Sequence, residues 1–396
     1  MEQPKVVIID GARTAIGRFG GSFKGTPAHE LGAAAIAAAL ERAGVRPDQV
    51  DEVIMGQVGA AGDAYNARRC ALGAGLPVSS TAMNVNRLCG SGLQAIWTGV
   101  QEVLSGAADI VVAGGDENMS RQPFLDFGAR DGYKLGDRSL EDGAQALVHD
   151  PFGDMLMGVT AECVAETYSV GRAEQDAFAL RSQQKTAAAI DAGRFREQIV
   201  PITVQERNAT AVVERDEHPR PDTTLEKLAA LKPVFREGGT VTAGNAAGMN
   251  DAGAAVVLMT EERARSLGLR PRLRFLGAAV AGHEPRLMGY TPTFAIRKLL
   301  ARFEMTPADV DFLELNEAFA AQAVAVIRDT RFDPERVNPN GGAIALGHPV
   351  GATGCILTIK AMHELERQGG RYAIVSMCIG GGQGIAALVE NAGDAA

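Results

Sequence analysis

The chain has 396 residues, of which 46% are hydrophobic and 22% charged, with a net charge of −9. That is a globular composition, and a chain too long for one ordinary core, so two or three domains are expected. The acidic balance argues against a nucleic-acid-binding surface, and an anionic ligand would need a local basic patch.

In chain order, Lys5-Val-Val-Ile-Ile-Asp10 reads as a short strand ended by Gly11. Ala28 to Ala43 is an alanine-rich helix, begun near Thr26-Pro27 and stopped by Gly44. Val50 to Met55 reads as a strand, Gly92 to Gly106 as a helix and Ala108 to Ala113 as a buried strand. Alternation of this kind implies an α/β fold. The stretch from about 120 to 245 differs. It is richer in charge and loops, and its clearest helix is Arg172 to Ala192. We read it as a loop domain inserted over an active site. Its basic residues Arg207, Arg215, Arg220 and Lys227 are mixed with acids; a few could hold the phosphates of an anionic ligand.

The chain also repeats itself. Arg46-Pro47 to Asp51, followed by Val53-Ile-Met, is echoed by Thr306-Pro307 to Asp311 and Leu313-Glu-Leu. Thr26-Pro27 and Thr291-Pro292 each introduce an apolar helix, and Val85-Asn86 resembles Val337-Asn338. The period is far longer than a solenoid's, so one α/β half is duplicated. Residues 1–268, carrying the insertion, form one half and 269–396 the other. In that alignment Cys378 falls near Gly114, and Cys89 falls with the segment leading to His348.

Several motifs carry chemistry. Two cysteines sit directly before glycine-rich turns, in Asn86-Arg-Leu-Cys89-Gly-Ser-Gly and in Cys378-Ile-Gly-Gly-Gly-Gln-Gly. Glycine lets backbone N–H groups approach a reacting atom, and a helix start lowers a thiol's pKa. His348 is framed by glycines and a proline in Asn340-Gly-Gly-Ala-Ile-Ala-Leu-Gly-His348-Pro. Asn316-Glu-Ala-Phe-Ala follows the strand Asp311 to Leu315 and puts an amide at a strand end. Cys70, Cys163 and Cys355 lack such frames and read as small buried hydrophobes. No Cys-x-x-Cys pair and no two histidines four apart occur, so no metal is expected. The N-terminal residues carry no charged-then-apolar leader, and no apolar run approaches the ~20 residues of a membrane span. With unpaired thiols in addition, a cytoplasmic location follows.

Together, the Cys89, Asn316, His348 and Cys378 segments resemble the signatures of thiolases, the acetyl-CoA C-acyltransferases. The likeness extends to Val241-Thr-Ala-Gly-Asn-Ala-Ala-Gly and to Asp10-Gly-Ala-Arg-Thr-Ala-Ile-Gly. The resemblance implies five αβαβα layers built from two duplicated halves. It implies reversible Claisen condensation, or thiolysis of a 3-ketoacyl-CoA, by ping-pong transfer. Cys89 would carry the acyl group as a thioester, His348 would take its proton and Cys378 would be the second acid/base. Asn316 and His348 would stabilise one oxyanion, and the backbone N–H groups of Cys89 and Gly380 the other. Arg220 and Thr223 would lie near the nucleotide of CoA. Val148, Met157, Phe235, Ala243, Ala247, Ala318 and Phe319 would line the pantetheine tunnel, with Met288 beside the acyl pocket. The expected ligands are CoA and acyl-CoA as substrates, with no cofactor, and the expected assembly is a homotetramer or homodimer. Leu156 and Ala247 stand where many short-chain biosynthetic thiolases have histidine and serine, and Leu287-Met-Gly looks closer to thiolases of broader chain length. Two alternatives are a decarboxylating ketoacyl synthase of the same fold, which pairs one cysteine with two histidines, and a non-catalytic acyl-CoA-binding scaffold. Retention of Cys89, His348 and Cys378 disfavours both.

Overall fold

The computed structural model describes residues 4–205 and 209–393. Arg207, one of the basic residues considered for phosphate contact, lies outside them. In the first half the frame is β1 (Val6–Thr14), α1 (Ala28–Ala43), β2 (Glu52–Gly56), α2 (Asn66–Gly73), β3 (Thr81–Val85), α3 (Ser91–Ser105) and β4 (Ile110–Asn118). The insertion contributes α4 (Met157–Thr167) and α5 (Arg172–Asp191), and β5 (Asn250–Thr260) returns the chain to the frame. The second half comprises β6 (Leu273–Gly282), α6 (Pro292–Arg302), β7 (Phe312–Leu315), α7 (Ala320–Thr330), α8 (Thr353–Gln368), β8 (Tyr372–Ile379) and β9 (Gln383–Asn391).

These nine strands lie in one mixed sheet in the order β7-β8-β9-β6-β1-β5-β4-β2-β3. The two halves meet edge to edge where Val7 and Ile8 pair with Arg274 and Leu273. On either side of that seam the order is the same: β1-β5-β4-β2-β3 on one, β6-β9-β8-β7 on the other. The place of β3 is taken in the second half by Val337, which bridges Leu313. The duplication is therefore real in three dimensions.

Side-chain alternation along the strands builds the layers. Val7, Ile9, Val53, Met55, Ile110 and Val112 form one core with α1 and α2. Their neighbours Val6, Ile8, Ile54, Val111 and Ala113 belong to a second core with α3 and α8, which also receives Ala373, Val375 and Met377 of β8. Leu313, Leu315 and Ile374 face a third core with α6 and α7. Helices thus cover both outer faces, and α3 and α8 lie between the two half-sheets, giving five αβαβα layers. Strands covered on both faces carry near-continuous apolar runs such as Ile110-Val-Val-Ala.

The central helices meet at their N-termini with matching contacts. A methyl group added at Gly92 would come 3.0 Å from Cys355 N, and one at Gly354 would collide with Leu93 N. Side chains at these crossing points would force the helix starts apart, so glycine sets their close approach.

The structure corrects several boundaries. β1 does not stop at Gly11 but runs to Thr14, with a register shift between Ile8 and Gly11. A side chain at Gly11 would approach Val256 Cγ1 at 2.8 Å and Ala255 O at 3.0 Å. This glycine is a strand irregularity under tight packing rather than a terminator. α1 ends as expected, with Gly44 left-handed at φ 66°. Strand pairing also refines the internal alignment. Met55 pairs with Gly114 and its counterpart Leu315 with Ser376. Two residues on, Cys378 is therefore matched by Asp116, and the crossing glycines match Cys89 with Gly351, just past His348.

Candidate active site

Cys89 lies in the tight turn between β3 and α3. Leu88 is held at φ 46°. Its N–H donates to Asn86 Oδ1 (2.9 Å), while Ser91 Oγ accepts from Arg87 N (2.9 Å) and donates to Leu88 O (2.6 Å). The turn is locked by its own side chains before any ligand arrives. Gly90, the N-cap of α3, has no room for a side chain: a Cβ would sit 2.6 Å from Ile379 Cδ1. The end of β8 thereby packs directly on the nucleophile turn.

The acidity expected of Cys89 is overturned. Burial pushes its thiol up to about 11, against hydrogen bonds from the backbone N–H groups of Gly380 and of Cys89 itself, with Glu117 adding to the rise. α3 begins two residues later, at Ser91, and desolvation outweighs its end charge. The resting residue is a thiol.

His348 ends a glycine-framed loop and is 8% exposed. Gly347, at φ 99°, lies against the Asn250 amide, where a side chain would overlap it. The His348 N–H bonds Gly248 O (3.2 Å) and Asn250 Oδ1 (3.1 Å). Its Nδ1 is 2.7 Å from Thr353 Oγ1, and that hydroxyl donates to Pro349 O at 2.8 Å. The hydroxyl has one proton and the carbonyl can only accept. Nδ1 must therefore bring its own hydrogen, which leaves Nε2 as the basic nitrogen. Nε2 lies 3.3 Å from Asn316 Nδ2, and Asn316 Oδ1 is buried without a partner among the described residues. Burial pushes the imidazole down to about 4, so it is neutral at pH 7. Sequence reasoning missed Thr353, although it stands four residues past the quoted His348-Pro segment. Its removal in Thr353→Val should leave a buried N–H unpaired and free the ring to adopt the wrong tautomer. We expect kcat to fall roughly 10- to 100-fold with little change in KM, measured by steady-state thiolysis.

Cys378 closes β8 and is fully buried. The turn that follows has Gly381 and Gly382 at φ 75° and 80°, a path that side chains would strain. Burial pushes this thiol far up, and Cys89 adds to the rise, so the two sulfurs act on each other. Cys378 shares an apolar cluster with Ala161, Val241, Met288, Ala318 and Phe319, flanked by Met157, Phe235 and Ala246. Phe235 and Phe319 meet edge to face at 6.3 Å, and Met157 N bonds Val148 O (2.8 Å). Ala247 N bonds Ala318 O (2.9 Å). Four of the sequence-predicted tunnel residues, Met157, Phe235, Ala318 and Phe319, are thus in or beside one apolar cluster together with Met288, and two more, Val148 and Ala247, are hydrogen-bonded to it. Ala243 is exposed and stands apart from that cluster. Arg220 is exposed on the insertion, its backbone N bonded to Gln183 Oε1 (2.9 Å) and its carbonyl accepting from Thr223 Oγ1 (2.7 Å).

Glu317 was also overlooked, although it neighbours Asn316 in the motif. Its carboxylate accepts from Ser182 Oγ (2.6 Å), Asn338 Nδ2 (2.7 Å) and Ile344 N (3.2 Å). It ties α5 to the start of the His348 loop. Of the unframed cysteines, Cys70 and Cys355 are buried as expected, although Cys70 also donates to Asp116 Oδ2 at 3.0 Å, and Cys163 is only half-buried.

Comparison with known proteins agrees with this geometry. The family models for the thiolase N-terminal and C-terminal domains match residues 6–262 and 269–391. An acetyl-CoA acetyltransferase of Cupriavidus necator is 49% identical over 391 residues, covering 97% of this chain and 99% of the relative. The beta-ketothiolase BktB of the same organism is 49% identical, covering 98% and 99%. Among solved structures, the acetyl-CoA acetyltransferase of Bacillus anthracis superposes with a TM-score of 0.95 at 44% identity, covering 98% of this chain and 99% of that one. Human mitochondrial 3-ketoacyl-CoA thiolase in complex with CoA does so with 0.94 at 43%, covering 98% of each. The chain belongs to the thiolase family.

Proposed function

We propose that this thiolase is an acyl-CoA C-acyltransferase that makes and cleaves the carbon–carbon bond of 3-ketoacyl-CoA thioesters by ping-pong transfer through Cys89. The observation that carries the reading is the meeting of two thiols, Cys89 and Cys378, at the Gly380 turn, with an imidazole whose free nitrogen faces an amide.

In this reading, neutral His348 takes the Cys89 proton as sulfur attacks the thioester carbonyl, and the acyl group moves to Cys89 as CoA leaves. The N–H groups of Cys89 and Gly380, which now face sulfur, stabilise the tetrahedral oxyanion. CoA leaves as the thiolate, so His348 Nε2 keeps the Cys89 proton; that N–H and Asn316 Nδ2 hold the enolate oxygen of the second substrate, and the proton returns to Cys89 when its sulfur is released. Cys378 removes its α-proton in condensation or returns it in cleavage. Each proton has a donor and acceptor in the chain, so no metal or redox cofactor is required.

Arg220 and Thr223 serve the nucleotide end of CoA, and Met157, Phe235, Phe319 and Ala318 the pantetheine arm. Leu156 and Ala247 offer no polar side chain there, and Met288 limits the acyl pocket. The likeness to both a beta-ketothiolase and a 3-ketoacyl-CoA thiolase supports a range of chain lengths and a role in fatty-acid and lipid metabolism. Thiolysis rates measured across 3-ketoacyl-CoA substrates of increasing length should show turnover beyond acetoacetyl-CoA. Turnover confined to acetoacetyl-CoA would overturn the chain-length reading.

We also propose a homo-oligomer, a dimer or a dimer of dimers. β3 is an unpaired sheet edge, and beside it a cleft of about 460 Å³ includes Val85, Arg87, Gln94 and Gln383. The buried Arg87 Nε and Gln94 Oε1 lack partners among the described residues. A second contact surface is offered by the insertion, where Phe124, Phe127, Leu135 and Leu140 are exposed. Five free cysteines, two of them needed as thiols, suit the reducing cytoplasm. No helix among the described residues is long and apolar enough to cross a membrane. On the chain, 1–268 and 269–396 are taken as the two thiolase halves, with the loop domain at about 120–245.

A further inference from the structure

One acid beside the site has no part in the chemistry above. Glu117, at the end of β4, is completely buried. Its carboxylate accepts three backbone N–H groups: Val58 (3.1 Å) and Gly59 (3.0 Å) from the loop after β2, and Gly351 (3.1 Å) from the turn that opens α8. Gly351 lies three residues after His348 and two before Thr353, which holds the imidazole. A side chain at Gly351 would meet Asp116 O at 2.5 Å and Glu117 Oε2 at 2.9 Å, so this turn is fitted to the acid. Among the described residues its hydrogen-bond partners are all backbone groups. A carboxylate accepts all three, whereas a protonated acid would bury an O–H facing donors.

Gly351 is the counterpart of Cys89, and the starts of α3 and α8 abut: a side chain at Gly92 would come 2.8 Å from Gly351 O. We propose that Glu117 is a positioning residue of the thiolase reaction: it anchors the His348-bearing start of α8 to the loop after β2. This rests on Cys89 being the nucleophile that His348 serves.

The titratable groups around Glu117 are few. Asp116 is the next residue on β4 and turns to Asn66 and Cys70; Cys89 comes from the α3 side; neutral His348 precedes the Gly351 turn. Opposite on β5 stands Ala252. Burial pushes Glu117 up to about 8 and Asp116 adds to this, while the three N–H groups pull it down.

The test is steady-state thiolysis by the full-length enzyme with heat unfolding measured beside it. Glu117→Asp keeps the acid but withdraws it from Gly351. It should lower kcat about tenfold with KM little changed. Glu117→Gln puts an amide donor against the backbone N–H groups and should lower kcat at least as far. A merely structural acid would lower thermal stability in both variants without moving kcat. Wild-type kcat in Glu117→Asp overturns the anchoring role. Should Glu117→Gln fail to fold, Glu117→Asp decides. If enzyme alkylated at Cys89 by iodoacetamide still supports thiolysis, the nucleophile assignment fails, and that result is separate from the kcat of the Glu117 variants.

Discussion

Cys89→Ser is expected to lower acyl transfer about a thousandfold or more while leaving the fold intact. The side chain is half-buried in a turn whose hydrogen bonds come from Asn86, Arg87 and Ser91, not from the sulfur. Exchange for the smaller oxygen therefore costs little stability. The chemistry suffers instead. Burial already raises the thiol to about 11, and His348, held down near 4, is a weak base. Proton transfer between them succeeds only as the sulfur commits to the carbonyl and the two N–H groups receive the oxyanion. A hydroxyl is far less acidic than a thiol, so the same base cannot deliver it. The shorter C–O bond also draws the nucleophile back from the Gly380 N–H. An oxygen ester, once formed, is less electrophilic than a thioester and slower to yield to the second substrate. Steady-state thiolysis and unfolding by heat, measured together, check the expectation. Turnover within about tenfold of wild type would remove Cys89 from the nucleophile's role.

Local chemistry was readable in the chain. Pro27 and Gly44 bound α1 because the first suits a helix start and the second takes the left-handed turn after its end. The glycine frames of Cys89, His348 and Cys378 are equally local, since each glycine is needed where backbone or a neighbouring side chain leaves no space. What could not be read depends on distant partners. Gly11 looked like a terminator because nothing nearby in sequence reveals Val256 and Ala255 pressing on it. The acidity of Cys89 was misjudged for the same reason. The helix start is visible in sequence, but the desolvation that outweighs it comes from packing between halves. Thr353 was passed over because a histidine and a hydroxyl five residues apart meet only if the intervening chain turns through Pro349. Glu117 lies beyond the strand expected over Ala108 to Ala113 and belongs to none of the quoted motifs. Its importance comes from Gly351, 234 residues away. Even the duplication was seen two residues out of register at Cys378, because strand pairing, not sequence echo, fixes the match with Asp116.

Cys378→Ala is expected to separate the two halves of the reaction. Its acyl-enzyme should form at Cys89 from an acyl-CoA, and carbon–carbon bond formation and cleavage should fall about a thousandfold. The thiol is buried among Ala161, Val241, Met288, Ala318 and Phe319, so alanine removes a proton carrier and leaves a small apolar cavity. Burial and the neighbouring sulfur both hold Cys378 protonated. When Cys89 takes an acyl group its sulfur can no longer become negative, and one of those two causes vanishes. Cys378 then ionises more readily, at the stage when condensation needs a base. In the cleavage direction the resting thiol is already the acid that the departing carbanion needs. One residue thus serves both directions, and the acylation state of Cys89 decides which form it takes. None of this bears on the first transfer, where His348 is the base. Mass spectrometry of the Cys378→Ala enzyme after incubation with acetyl-CoA should therefore find the acetyl group on Cys89, and exchange of labelled CoA into acetyl-CoA should persist. Absence of the adduct, or loss of exchange in step with loss of condensation, would show that the two sulfurs do not divide the reaction between them.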